Sequence, residues 1–133
     1  CLIRLYRNNI TQGPINLKDL NSRDEIYFPW FPEYVRWHDA CWGQGAKCFV
    51  EINTSVLLPT ILNDPQQWAI VPISLAKYFE KTIPIGLFEL QPPPPNRTCY
   101  KLTRNNLRAQ DTHALKIVNS VIKNFCKNLP WEE

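Results

Sequence analysis

The residues that could do chemistry are few and poorly grouped. His38 and Cys41 stand three apart, the spacing that puts two side chains on one helix face, with Asp39 between them. A thiol beside an imidazole can become a thiolate nucleophile. A single helix face rarely holds the geometry that this needs, and nothing nearby supplies an oxyanion hole. The same His38, Asp39 and Cys41 lack a second ligand cluster to complete a metal site, and His113 stands alone. Asp24 and Glu25 adjoin, but neighbours on a strand point to opposite faces. The glycines are Gly13, Gly43, Gly45 and Gly86, which cannot build a phosphate-cradling loop or a dinucleotide fingerprint. The expectation is a protein with no catalytic residue, no metal and no cofactor.

Binding is better served than catalysis. Ile52-Asn53-Thr54-Ser55 closes the extended CFVEI run and opens VLLPTIL, a helical stretch. At the carboxyl end of a strand feeding a helix, free N–H groups and hydroxyls face outward, and the helix N-terminus favours an anion. The bland reading is N-capping alone, which needs only one of the three polar residues. A second strand end, Val71-Pro72-Ile73-Ser74, repeats the arrangement, with Ser74 as a cap for a brief helix through Phe79.

These sites need a scaffold, and the composition provides for one. The chain has 133 residues, 44% of them hydrophobic and 12% aromatic, enough for a packed core in one domain or subdomain. No apolar run is long enough to span a bilayer, and no secretory signal is visible. The chain opens at Cys1 without a Met, as expected of an excised piece or a processed start. Net charge is +3, concentrated between residues 96 and 129, where Arg97, Lys101, Arg104, Arg108, Lys116, Lys123 and Lys127 face only Asp111. That segment reads as the solvated face of a C-terminal helix, with phosphate tracking as the alternative. Five cysteines at wide spacing (Cys1, Cys41, Cys48, Cys99 and Cys126) suit reduced thiols in the cytoplasm. The N-x-S/T triplets at Asn9, Asn53 and Asn96 leave a secreted, disulfide-stapled domain as a competing reading.

The elements follow from periodicity. LIRLYR (2–7), Glu25–Phe28, Cys48–Ile52, Trp68–Val71, Ile85–Leu90 and Thr98–Thr103 read as strands. A helix is expected from Glu33 to Trp42, with Tyr34, Trp37, His38 and Cys41 on one face, ended by Gly43 and Gly45. Asp111 caps a long last helix with an apolar stripe of Leu115, Val118, Ile122, Phe125 and Leu129. Pro92–Pro95 is a stiff connector. The aromatic run YFPWFPEYVRWHDACW fills the core or lines a cleft. The order strand-helix-strand-helix-strand over 25–72 predicts an α/β fold with a mixed or parallel sheet flanked by helices.

In succession, LIRLYRNN, NLKDL, VEIN, the Thr54-Ser55 helix start, WAIVPISLAKYF, PIGLFEL and NRTCYKLTR resemble the second half of the effector-binding domain of LysR-type transcriptional regulators. The likeness covers nearly the whole chain. It implies a type 2 periplasmic-binding-protein-like subdomain over about 1–104, with the C-terminal helix (about 105–133) returning toward a first subdomain. Where the family has a Gly-rich turn, this chain has Gln66-Gln67-Trp68-Ala69, which leaves less room for close backbone approach.

The resemblance further implies a cytoplasmic regulator, not an enzyme. Its effector, a small anionic metabolite, would sit between subdomains against Asn53, Thr54, Ser55, Val71 and Pro72. Self-association as a dimer or tetramer would use helix 54–62. DNA would be met only through a winged helix-turn-helix domain absent from this chain, and no membrane is implied. The alternative is a lobe of an extracytoplasmic solute-binding protein of the same fold.

Overall fold

The computed structural model describes residues 1–5, 13–98, 100, 102 and 109–127. They divide into two units, Cys1–Arg97 and Thr98–Glu133. The first unit is a mixed α/β assembly. It runs β1 (Leu2–Leu5), β2 (Ile15–Asn16), β3 (Ile26–Tyr27), α1 (Pro32–Trp42), β4 (Val50–Glu51), α2 (Leu58–Ile61), β5 (Trp68–Ile70), α3 (Ile73–Phe79), β6 (Ile85–Phe88) and β7 (Leu90–Gln91).

β1 lies between β5 and β6 and is antiparallel to both, with Leu2 opposite Ile70 and Phe88. β3 and β4 pair in parallel, Ile26 against Val50, and a parallel bridge from Glu25 to Trp68 ties that pair to β5. β2 and β7 form a separate parallel pair. The parallel partners β3, β4 and β5 are joined through α1 and α2, because parallel neighbours cannot be linked by a tight turn. The α/β character expected of the chain is thus present, but the one flanked sheet is instead three small ones, two of them parallel pairs and the third antiparallel about β1.

Alternation along the strands sorts the core onto two faces. Ile3, Ile26, Ala69 and Val71 pack with Leu58 of α2 and Ala76 and Phe79 of α3. Leu2, Trp68, Ile70 and Phe88 pack with Tyr34 of α1 and with Leu17 and Leu20. Both faces are covered, which explains why β5 reads as a continuous apolar run. α1 starts one residue earlier than expected because Pro32 suits a first helical turn, where its missing N–H is not needed. It stops at Gly43, whose φ of 92° few residues other than glycine adopt.

Several expectations need correction. VLLPTIL is a 3-10 turn (Ser55–Leu57) followed by a four-residue helix, because Pro59 removes a donor at its start. Ser74 caps nothing; Pro72 is the cap residue of α3, and Ser74 is exposed inside it. Ile85–Leu90 is two short strands broken at Glu89. Thr98, Tyr100 and Leu102 are in no strand, and the rest of Thr98–Thr103 falls outside the described residues, as do Tyr6 and Arg7 of the first expected strand.

The second unit contributes α4 (Ala109–Lys127). The helix already runs at Ala109, so Asp111 lies within it and is not its cap. Val118 and Ile122 of the expected stripe are exposed, as are Ile117 and Val121; Leu115 is half-buried. Leu129 and the side chain of Phe125 fall outside the described residues.

Candidate functional site

β3, β4 and β5 run in parallel, so their carboxyl ends share one edge of the sheet. Asn53-Thr54-Ser55 follows β4 there, and Val71-Pro72 follows β5. β3 separates them, which puts the two strand ends two strand spacings apart, about 10 Å. Between them, the Trp30 indole N–H donates to the Ile70 carbonyl at 2.7 Å, and its ring stacks on Phe28 at 4.5 Å. Cys1 completes the edge: its backbone nitrogen donates to the Val71 carbonyl, and the Val71 N–H donates back, both at 3.0 Å.

The site residues differ in what they can offer. Asn53 and Thr54 are exposed and Ser55 is half-buried. The Thr54 side chain makes no capping hydrogen bond, so its hydroxyl is not spent on the turn that follows. Val71 is buried with both backbone groups engaged by Cys1, and it supplies wall rather than hydrogen bonds. Pro72 is half-buried, and its carbonyl accepts from Leu75 and Ala76. The helix after Thr54 is only four residues long. A single turn carries little dipole, so attraction for an anion rests on the hydroxyls and amide rather than on the helix.

At the amino ends of β3 and β5, where Glu25 bridges to Trp68, lies a polar pair that the spacing of residues did not announce. Glu25 Oε2 and His38 Nε2 are 2.7 Å apart, with the Glu25 side chain wholly buried. The imidazole is boxed by aromatic rings, Tyr27 at 4.4 Å and Trp42 at 4.8 Å, and Trp42 in turn packs on Trp68 at 5.5 Å. Burial pushes the Glu25 carboxyl above its ordinary value, outweighing the hydrogen bond and charge of His38 that pull it down. Tyr27 is pushed up to about 12, first by burial and then by the charge of Asp39. Burial also raises Tyr34. Two buried oxygens in this cluster, Glu25 Oε1 and the Tyr34 hydroxyl, have no hydrogen-bond partner.

Cys41 lies on the same helix face as His38, as its spacing predicts. His38 Nε2, however, is committed to Glu25, and burial raises the Cys41 thiol, which disfavours the thiolate. Among the described residues no group of three or more His, Cys, Asp or Glu could hold a metal ion. Cys1, Cys41 and Cys48 are free thiols. No described helix is long and apolar enough to cross a membrane.

No protein-family model, curated protein or solved structure matches this chain. The geometry therefore has to carry the functional reading. Trp30 and the pairing of Glu25 with His38 are what the sequence left unmarked. The available signal was alternation: Glu25 shares a strand face with Tyr27, and that face is aromatic.

Proposed function

We propose that the chain is the effector-sensing part of a transcription regulator of the LysR type, taking a small anionic metabolite at the carboxyl edge of its sheet. The observation that carries this reading is the reciprocal pairing of Cys1 with Val71 at that edge. β1 begins there and runs back antiparallel between β5 and β6, as a strand crossing over from another subdomain would. Uncommitted polar groups at Asn53 and Thr54 give the same edge something to bind with. A second subdomain would close the cleft, and a small molecule would act by favouring one arrangement of the two. This reading takes the parent protein to be cytoplasmic, self-associating and not an enzyme.

Two experiments test it. The reading frame upstream of Cys1 should encode a winged helix-turn-helix; a secretion signal there would instead favour a lobe of an extracytoplasmic solute-binding protein. In the full-length regulator, Thr54→Ala should weaken the effector dose response while leaving thermal unfolding nearly unchanged. An unaltered dose response would remove Thr54 from the site.

A further inference from the structure

Trp30 stands in the middle of the carboxyl edge. β3 runs between β4 and β5, so the Phe28-Pro29-Trp30 segment that follows it emerges between the two candidate strand ends. Each neighbouring strand is about 5 Å away. Pro29 has no N–H with which to extend β3, and the Trp30 indole takes over as donor to the Ile70 carbonyl at the end of β5, at 2.7 Å. The Trp30 backbone N–H turns back onto the Phe28 carbonyl at 2.9 Å, and the indole lies on the Phe28 ring with 9° between their planes.

Despite these contacts, Trp30 is only half-buried. Phe28 is 3% exposed, so the side of the indole turned toward it is closed to solvent. The N–H edge is taken by Ile70. What solvent reaches is therefore on the opposite side, the second face and the rim of the six-membered ring. An indole held on one face, at one edge and through its own backbone has no rotamer freedom left to lose when a ligand lies on the free face. Flat rings pair offset on such a face, and a saturated ring of the same size gains nothing from the π-system.

We propose that Trp30 determines the specificity of this edge by selecting an effector with a flat conjugated ring, in its simplest form an aryl carboxylate. This deepens the effector reading above and rests on it. The ring lies on the free face of Trp30, between Thr54 and Pro72. Its carboxylate reaches one strand spacing sideways to the Thr54 hydroxyl, which no capping bond occupies.

The test titrates the full-length protein, labelled with nitrogen-15 in its tryptophan indoles, with benzoate and with cyclohexanecarboxylate, which match in charge and size but not in flatness. Benzoate should bind about fivefold more tightly. Its ring protons should move upfield in the indole ring current, and the Trp30 Nε1–H signal, assigned by its absence in Trp30→Phe, should shift. Trp30→Leu should bring the two affinities together, whereas Trp30→Phe keeps a flat face and should keep most of the preference. The wild-type shifts decide the matter even if Trp30→Leu does not fold. An unmoved Trp30 signal at millimolar benzoate, or equal affinities for the two acids, would overturn the proposal. Equal affinities that both fall in Thr54→Ala would overturn the selection by Trp30 and leave the effector site itself standing.

Discussion

His38 Nε2 meets Glu25 Oε2 at 2.7 Å inside an aromatic box. The contact joins the start of β3 to the middle of α1, so it fixes the helix against the sheet as well as satisfying two polar groups. A buried pair of this kind contributes little net stability while intact, but loss of one partner is severe. His38→Ala should destabilise the fold by about 3–5 kcal/mol, because it strands the Glu25 carboxyl in an apolar site. Urea denaturation of the two proteins at one pH measures this.

The same carboxyl makes stability depend on pH. The unfolded chain releases the Glu25 proton near the ordinary value of 4.5, whereas burial holds it to higher pH in the folded state. The folded state therefore binds more protons in that interval, and stability falls as pH rises from 4.5 through the folded value. Glu25→Gln keeps an acceptor for His38 and removes the ionisation, so its stability should fall less steeply over that interval. Equal slopes for the two proteins would show that Glu25 is not the group responsible.

Tyr34 is buried with an unpartnered hydroxyl. Removing a buried polar group that bonds to nothing should be neutral or stabilising. Tyr34→Phe should shift stability upward by up to about 1 kcal/mol. A loss larger than that in chemical denaturation would mean that the hydroxyl is satisfied in solution by a bound water.

Trp68 is fully buried, and its indole N–H donates to the Asn21 carbonyl at 3.1 Å. Trp68→Ala should cost about 3–5 kcal/mol through the cavity left behind. Trp68→Phe preserves most of the packing and loses one hydrogen bond, while the Asn21 carbonyl still accepts from the Asp24 N–H at 3.0 Å, and should cost about 1 kcal/mol. Similar losses for the two variants, measured by thermal or chemical unfolding, would argue that the hydrogen bond rather than the volume matters.

Cys41 and Cys48 are both raised above the ordinary thiol value, chiefly by burial. Both should therefore react with iodoacetamide at neutral pH more slowly in the folded protein than after denaturation, because the thiolate is the nucleophile. Peptide mass spectrometry over a time course gives the rates. Folded and unfolded rates that coincide would contradict the burial of these thiols.

Local signals were read well where the physics is local. Pro32 and Gly43 bracket α1, and its face of Tyr34 and His38 is buried as the spacing predicts. Trp68–Ile70 reads as an apolar strand because both sheet faces are covered. The partner of His38 was not legible, because Glu25 lies thirteen positions away and is brought to it by the β3–α1 packing alone. Nor was the turn after Thr54, where Pro59 shortens a helix that apolar spacing alone would extend. At the candidate edge the polar residues were visible in sequence. The commitment of Val71 to Cys1 was not, since it depends on where β1 inserts.

That insertion has a consequence for biosynthesis. β1 emerges from the ribosome before either of its partners, since Leu2 pairs with Ile70 and Phe88. Leu2 and Ile3 are fully buried in the finished sheet, so until β5 and β6 arrive this apolar strand has no place to pair. Closing such long loops is entropically slow. Growing chains halted before residue 70 should therefore engage holdase chaperones through β1, and release should coincide with synthesis of β6.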